Sequence, residues 1–95
     1  MDDIDARMAA LSARFAAQLA ETTAIIEACL ARRAWAELTA PCHSLAGRAG
    51  MFGQPALGDA ARSVEEAIDE NAPPEEIERL TEDLLGCLRA LRQDR

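Results

Sequence analysis

Aromatic side chains are nearly missing from this 95-residue chain: Phe15, Trp35 and Phe52 are the whole set, and tyrosine is absent. A core built without them must be filled by leucine, isoleucine, valine and the abundant alanine at close helix spacing, a composition that favours an all-helical bundle. Basic charge is also short. The formal net charge is -7, whereas a protein that tracks nucleic-acid phosphates needs a clustered basic surface, so nucleic acid is not expected as a partner. No apolar run approaches the roughly 18 residues of a membrane span. The opening Met1-Asp2-Asp3-Ile4-Asp5 has neither the basic nor the apolar region of a secretory signal, so a cytoplasmic protein with no membrane association is expected. Cys29, Cys42 and Cys87 form an odd set without a C-x-x-C pair. Each falls on or beside an apolar seam, where a free thiol behaves as a small hydrophobe. With one histidine, no H-E-x-x-H and no Cys/His cluster, no metal site is assigned to the chain. A chain this short builds one core, so residues 1–95 are read as a single domain.

Apolar periodicity predicts four helices. From Asp3 to about Arg32 no proline or glycine interrupts the pattern Met8, Leu11, Phe15, Leu19, Thr22, Ile25, Ile26, Cys29, Leu30. This is one long helix, or a short lead-in helix followed by a longer one. A second helix starts near Ala34 or Trp35 and reaches about Met51 through Pro41, which either kinks it or marks a later start. Gly53-Gln54-Pro55 turns the chain into a third helix carrying Leu57, Ala60 or Ala61, Val64 and Ile68, ending near Glu70. Asn71-Ala72-Pro73-Pro74 is the clearest break. Glu75 and Glu76 then open a last helix with Ile77, Leu80, Leu84, Leu88 and Leu91 on its apolar face. Short loops between four amphipathic helices predict an all-α, up-down-up-down four-helix bundle.

The single histidine, His43, gives the best handle on function. Leu38, Cys42, Leu45, Ala49 and Phe52 recur at four, three, four and three, which at about 100° per residue makes one apolar seam. His43 lies one step off it. Its own face carries only small residues: Ala36, Thr39, Ala40, Ala46, Gly47 and Gly50. Glycine inside a helix costs about 1 kcal/mol relative to alanine, so Gly47 and Gly50 need a reason. Close approach of a partner is one, and close packing of a neighbouring helix within the bundle is the other. Neutral imidazole keeps a lone pair near pH 7 and can attack a phosphoryl group. The chain has no G-x-x-x-x-G-K-[ST] loop, so it lacks an ATP-dependent kinase activity of its own and would take phosphate from another protein.

The run His43-Ser44-Leu45-Ala46-Gly47 with Ala49-Gly50 and Phe52-Gly53, followed by Leu57, Ala61, Glu65 and Glu66, resembles the histidine phosphotransfer (HPt) domain family. An apolar helix before it and two amphipathic helices after it extend the resemblance over nearly the whole chain. The resemblance implies a relay in which a receiver-domain aspartyl phosphate is passed to His43 and on to a second receiver. Receiver domains of response regulators and a hybrid histidine kinase would be its partners, and the protein would work as a monomer. The catalytic Mg²⁺ and its companion lysine would belong to the receiver, so no cofactor is expected on this chain. Thr39, Ala40, Gly47 and Gly50 would lie under the docked partner. Family members commonly place lysine three residues after the histidine, where this chain has Ala46. The nearest cation by sequence is Arg48, roughly 140° around the helix, which would reach a phosphoryl group only from the flank and is otherwise a solvated surface charge. Two other readings stand beside the relay: a receiver-docking module that carries no phosphate, and a structural protein that dimerises through the Ala/Gly face.

Overall fold

The computed structural model describes residues 3–51 and 53–93, with side chains over 13–51 and 53–91. Four helices follow one another, α1 (Asp3–Arg32), α2 (Trp35–Met51), α3 (Pro55–Asp69) and α4 (Pro74–Gln93), and no strand occurs among the described residues. α1 is a single unbroken helix of 30 residues, not a lead-in plus a longer helix. Each helix packs on its sequence neighbours, and α1 closes the ring against α4. Ion pairs fix the directions: Arg33–Glu78 and Arg89–Glu27 run in opposite senses along α1 and α4, as antiparallel neighbours must.

All three connections stop the preceding helix in the same way. Arg33, Gly53 and Asn71 take left-handed φ values of 53°, 70° and 57°. In each case the following amide reaches back five residues, Ala34 to the Cys29 carbonyl, Gln54 to Ala49 and Ala72 to Ala67, each at 2.9 Å. These bonds occupy carbonyls that the helix end leaves without a partner. Glycine and asparagine accept this conformation readily, whereas Arg33 is held there by outside contacts. Its guanidinium lies over the Trp35 ring at 5.9 Å and donates to Glu78.

The buried set follows the periodicity closely. Leu38, Cys42, Leu45 and Ala49 of α2 meet Phe15, Leu19, Ile26 and Cys29 of α1, Leu57, Ala61 and Val64 of α3, and Leu84, Leu85 and Leu88 of α4. Of the two alternatives in α3, Ala61 is the buried one and Ala60 lies at its margin. Trp35 and Cys87 pack against the core while half-buried. Ile25, expected inside, is 46% exposed. Thr23 and Thr81 take core positions because each hydroxyl donates to the carbonyl four residues back, Leu19 at 2.7 Å and Ile77 at 2.6 Å, which removes the cost of burying it. The side chains of Met8 and Leu11, and residue Phe52, lie outside the described residues.

Pro41 stands inside α2, so the helix does begin at Trp35. α2 and α3 pack closely against each other. Gly58 is buried there, and a Cβ placed on it would meet the Ala46 carbonyl oxygen and the Ala49 Cβ, each at 3.5 Å. A methyl group at that distance makes ordinary contact, so Gly58→Ala should raise the urea midpoint by an amount equivalent to about 1 kcal/mol, the helix-propensity gain. Gly58→Leu should lower it by about 1–3 kcal/mol by forcing the two helices apart.

Candidate functional site

His43 and Glu65 meet across the α2–α3 seam. Leu38, Cys42, Leu45 and Ala49 turn inward from α2, which sends His43 outward beside α3 with its side chain 78% exposed. On α3 the inward residues Leu57, Ala61 and Val64 place Glu65 at the edge facing α2, its side chain only 20% exposed. His43 Nδ1 lies 2.8 Å from Glu65 Oε2. A carboxylate only accepts, so Nδ1 is the donor, and in the neutral ring Nε2 then keeps the lone pair. The contact holds the ring in one orientation and leaves Nε2 as the nitrogen with the lone pair.

Two helical stripes line the open recess beside this pair. His43, Ala46 and Gly47 come from α2, and Arg62, Glu65, Glu66 and Asp69 from α3. Both sets follow the three and four spacing that puts residues on one helix face. The recess has a volume of about 390 Å³. Its α3 wall is acidic apart from Arg62, whose guanidinium donates to Asp59 at 3.1 Å. Among the described residues no group of three His, Cys, Asp or Glu side chains is arranged to hold a metal ion.

The residues singled out from the sequence separate into two groups. Thr39 is half-buried, and Ala40, Gly47 and Gly50 are exposed on the histidine's side of α2. A Cβ built on Gly47 or Gly50 meets nothing within 4 Å, so neither glycine serves helix packing inside the bundle. Ala46 departs from the expectation of an open small-residue face: it is 9% exposed, since its backbone lies against Gly58. Arg48 departs further. Its guanidinium donates to Gln18 Oε1 at 2.9 Å and Thr22 Oγ1 at 3.2 Å, both on α1. It is half-buried rather than a solvated surface charge, and it faces the α1–α2 groove with Ser44 and Pro41. That groove is not the recess of His43.

Glu65 and Arg62 were not legible as site residues. A signal for both existed in the α3 spacing, because Arg62, Glu65, Glu66 and Asp69 form one stripe, but which neighbour that stripe faces depends on how α3 is rotated against α2.

Cys42, next to His43 in sequence, is fully buried. Burial pushes its thiol up to about 12, with smaller contributions from the charges of Glu65 and Cys29. The thiol is therefore inert at neutral pH. Residues 10–94 match the family model of the Hpt domain. No curated protein and no solved structure matches the chain.

A raised thiol ties stability to pH. Below about pH 9, the ordinary value for cysteine, both folded and unfolded chains keep the Cys42 proton. As pH climbs from there toward 12 the unfolded chain releases it while the folded chain holds it, so stability is lost across that window. Urea midpoints measured between pH 8 and 11 should fall, and fall less steeply in Cys42→Ala.

Proposed function

Because this chain belongs to the Hpt domain family, we propose that it carries a phosphoryl group on His43 between the aspartates of response-regulator receiver domains. The observation that carries this reading is the exposed imidazole with Nδ1 held at 2.8 Å by Glu65. Hpt domains work with response-regulator receivers in phosphorelays.

The step follows from the ring's orientation. Nε2 attacks the phosphorus of a receiver aspartyl phosphate. The P–N bond forms as the P–O bond to the aspartate breaks, and the carboxylate leaves with the electron pair. Nδ1 retains its proton throughout. The imidazolium that results carries positive charge 2.8 Å from the Glu65 carboxylate, which stabilises it as it develops. The reverse step, attack by a second receiver's aspartate, uses the same geometry. Mg²⁺ and the receiver's lysine act from the partner's side of the interface. Open space over Gly47 and Gly50 allows the loops that carry them to approach the ring. The protein takes its phosphate from a receiver of a hybrid histidine kinase, has no ATP-dependent kinase activity, and works as a cytoplasmic monomer that leaves the His43 face uncovered. No described helix is long and apolar enough to cross a membrane.

Transfer of label from a panel of phosphorylated receiver domains, with Mg²⁺ present, tests the proposal. Acid-labile, base-stable label is expected on the wild type and none on His43→Ala. Glu65→Ala should slow uptake by about a hundredfold through loss of ring orientation, with Glu65→Gln, which still offers an acceptor, slowed less. Binding without label would point instead to a docking module that carries no phosphate, and a stable dimer burying His43 would point to a structural role.

The glycines give an independent check. Gly47→Ala and Gly86→Ala each introduce a methyl group into open space within a helix, and each should stabilise the fold by about 1 kcal/mol. Only Gly47→Ala should also slow transfer, because Gly86 lies on α4, outside the His43 recess.

A further inference from the structure

Phosphorylation adds a dianionic group at His43 beside three carboxylates, those of Glu65, Glu66 and Asp69, which share its recess. Like charges at that range repel, and in a partly desolvated interface the repulsion grows. A cation on the protein side, in addition to those of the receiver, would offset that repulsion. The position three residues after the histidine supplies none: it is Ala46, closed against α3. Lysine is absent from the whole chain, whose ten basic residues are all arginines. Arg48 is committed to Gln18 and Thr22 of α1 and lines the α1–α2 groove, a different depression. Among the described residues one cation lines the recess that holds His43, and it is Arg62.

We propose that Arg62 is the phosphoryl ligand of this site, reaching across from α3 to bind the phosphoryl oxygens on His43. The inference rests on the phosphotransfer reading above and adds a residue to it. Arg62 is free to move into that role. Its present partner, Asp59, lies one helical turn back, and the two side chains are 54% and 76% exposed. An exposed pair of that kind holds its partners weakly. A phosphoryl group offers the guanidinium fork three oxygens and up to two negative charges, a stronger acceptor than one solvated carboxylate. Arg62 therefore rests on Asp59 while His43 is bare and swings to the phosphoryl group once it arrives. Asp59 then loses only a solvated contact. The cation comes from the facing helix, so the contact ties the phosphoryl group to both α2 and α3.

The experiment has two arms. In the first, a receiver that labels the wild type is used to compare Arg62→Ala and Arg62→Lys. Uptake should fall about tenfold in the alanine variant, as expected for loss of one charge-assisted contact, and stay within a few-fold of wild type in the lysine variant. In the second, His43 is phosphorylated directly with phosphoramidate, without any receiver, and its ³¹P resonance is titrated. The second ionisation should occur at lower pH in the wild type than in Arg62→Ala, because a nearby guanidinium favours the dianion. Unchanged uptake together with superimposable ³¹P titrations would overturn the assignment. If no receiver labels the wild type, the relay reading fails, and the ³¹P titration alone decides whether Arg62 contacts the phosphoryl group.

Discussion

The close approach of α2 to α3 sets the position of everything that bears on His43. Gly58 lies at the contact: a methyl there would still make ordinary contact with the Ala46 carbonyl and the Ala49 methyl, at 3.5 Å each, whereas a larger side chain would push the helices apart. That contact fixes both the separation and the rotation of the two helices. Rotation then decides that the stripe starting at Arg62 faces the histidine, and separation decides that Glu65 reaches Nδ1 at 2.8 Å. A larger residue at position 58 would move the carboxylate away from the ring without touching either. The His43–Glu65 geometry thus depends on a small residue buried at position 58, while the two exposed glycines beside His43 do nothing for packing. Glycine occupies two settings in this chain: buried between helices at Gly58, and facing open space at Gly47 and Gly50.

Much of this fold was legible because its signals are local. Pro55 and the Asn71-Ala72-Pro73-Pro74 break mark helix ends by backbone chemistry alone, and the three and four spacing of leucines names most of the core. Ambiguity remained where local rules permit two outcomes. Pro41 satisfies a helix start and a helix interior equally from sequence, and only the packed structure puts it six residues inside α2. The lead-in alternative for α1 fails because nothing between Asp3 and Arg32 breaks the helix. The site was legible in one half. His43 and the open face around it follow from periodicity on a single helix. Glu65, Arg62 and the true setting of Arg48 depend on which helix stands beside which, and at what rotation. Arg48 lies 140° from His43, and that angle sends it to α1, where Gln18 and Thr22 receive it.

Charge is distributed with the same division of labour. The chain carries a net -7, and much of the acidic excess sits on exposed faces of α3 and α4, yet the basic residues are placed individually. Arg32 bridges α1 to the first turn of α2 through Glu37 at 2.9 Å, Arg33 and Arg89 join α1 to α4, and Arg48 joins α2 to α1. Each of these links two elements of the bundle or its turns. Arg62 and Arg79 are different, because their pairs with Asp59 and Asp83 each stay within one helix and connect nothing. Exposed pairs contribute little to stability singly, so their value lies in fixing helix register more than in energy.

The exposure of His43 has a consequence for time. With 78% of its side chain in solvent, a phosphoramidate formed there in the proposed relay would stand in bulk water whenever the protein is alone. Water is then excluded only by whichever receiver is docked. The lifetime of such a carrier would then be a property of its surroundings: where receivers are plentiful the group would be handed on, and where they are scarce it would be lost to hydrolysis. In the proposed relay, the state of the carrier at any moment would report the balance between supply and demand for phosphate among its partners.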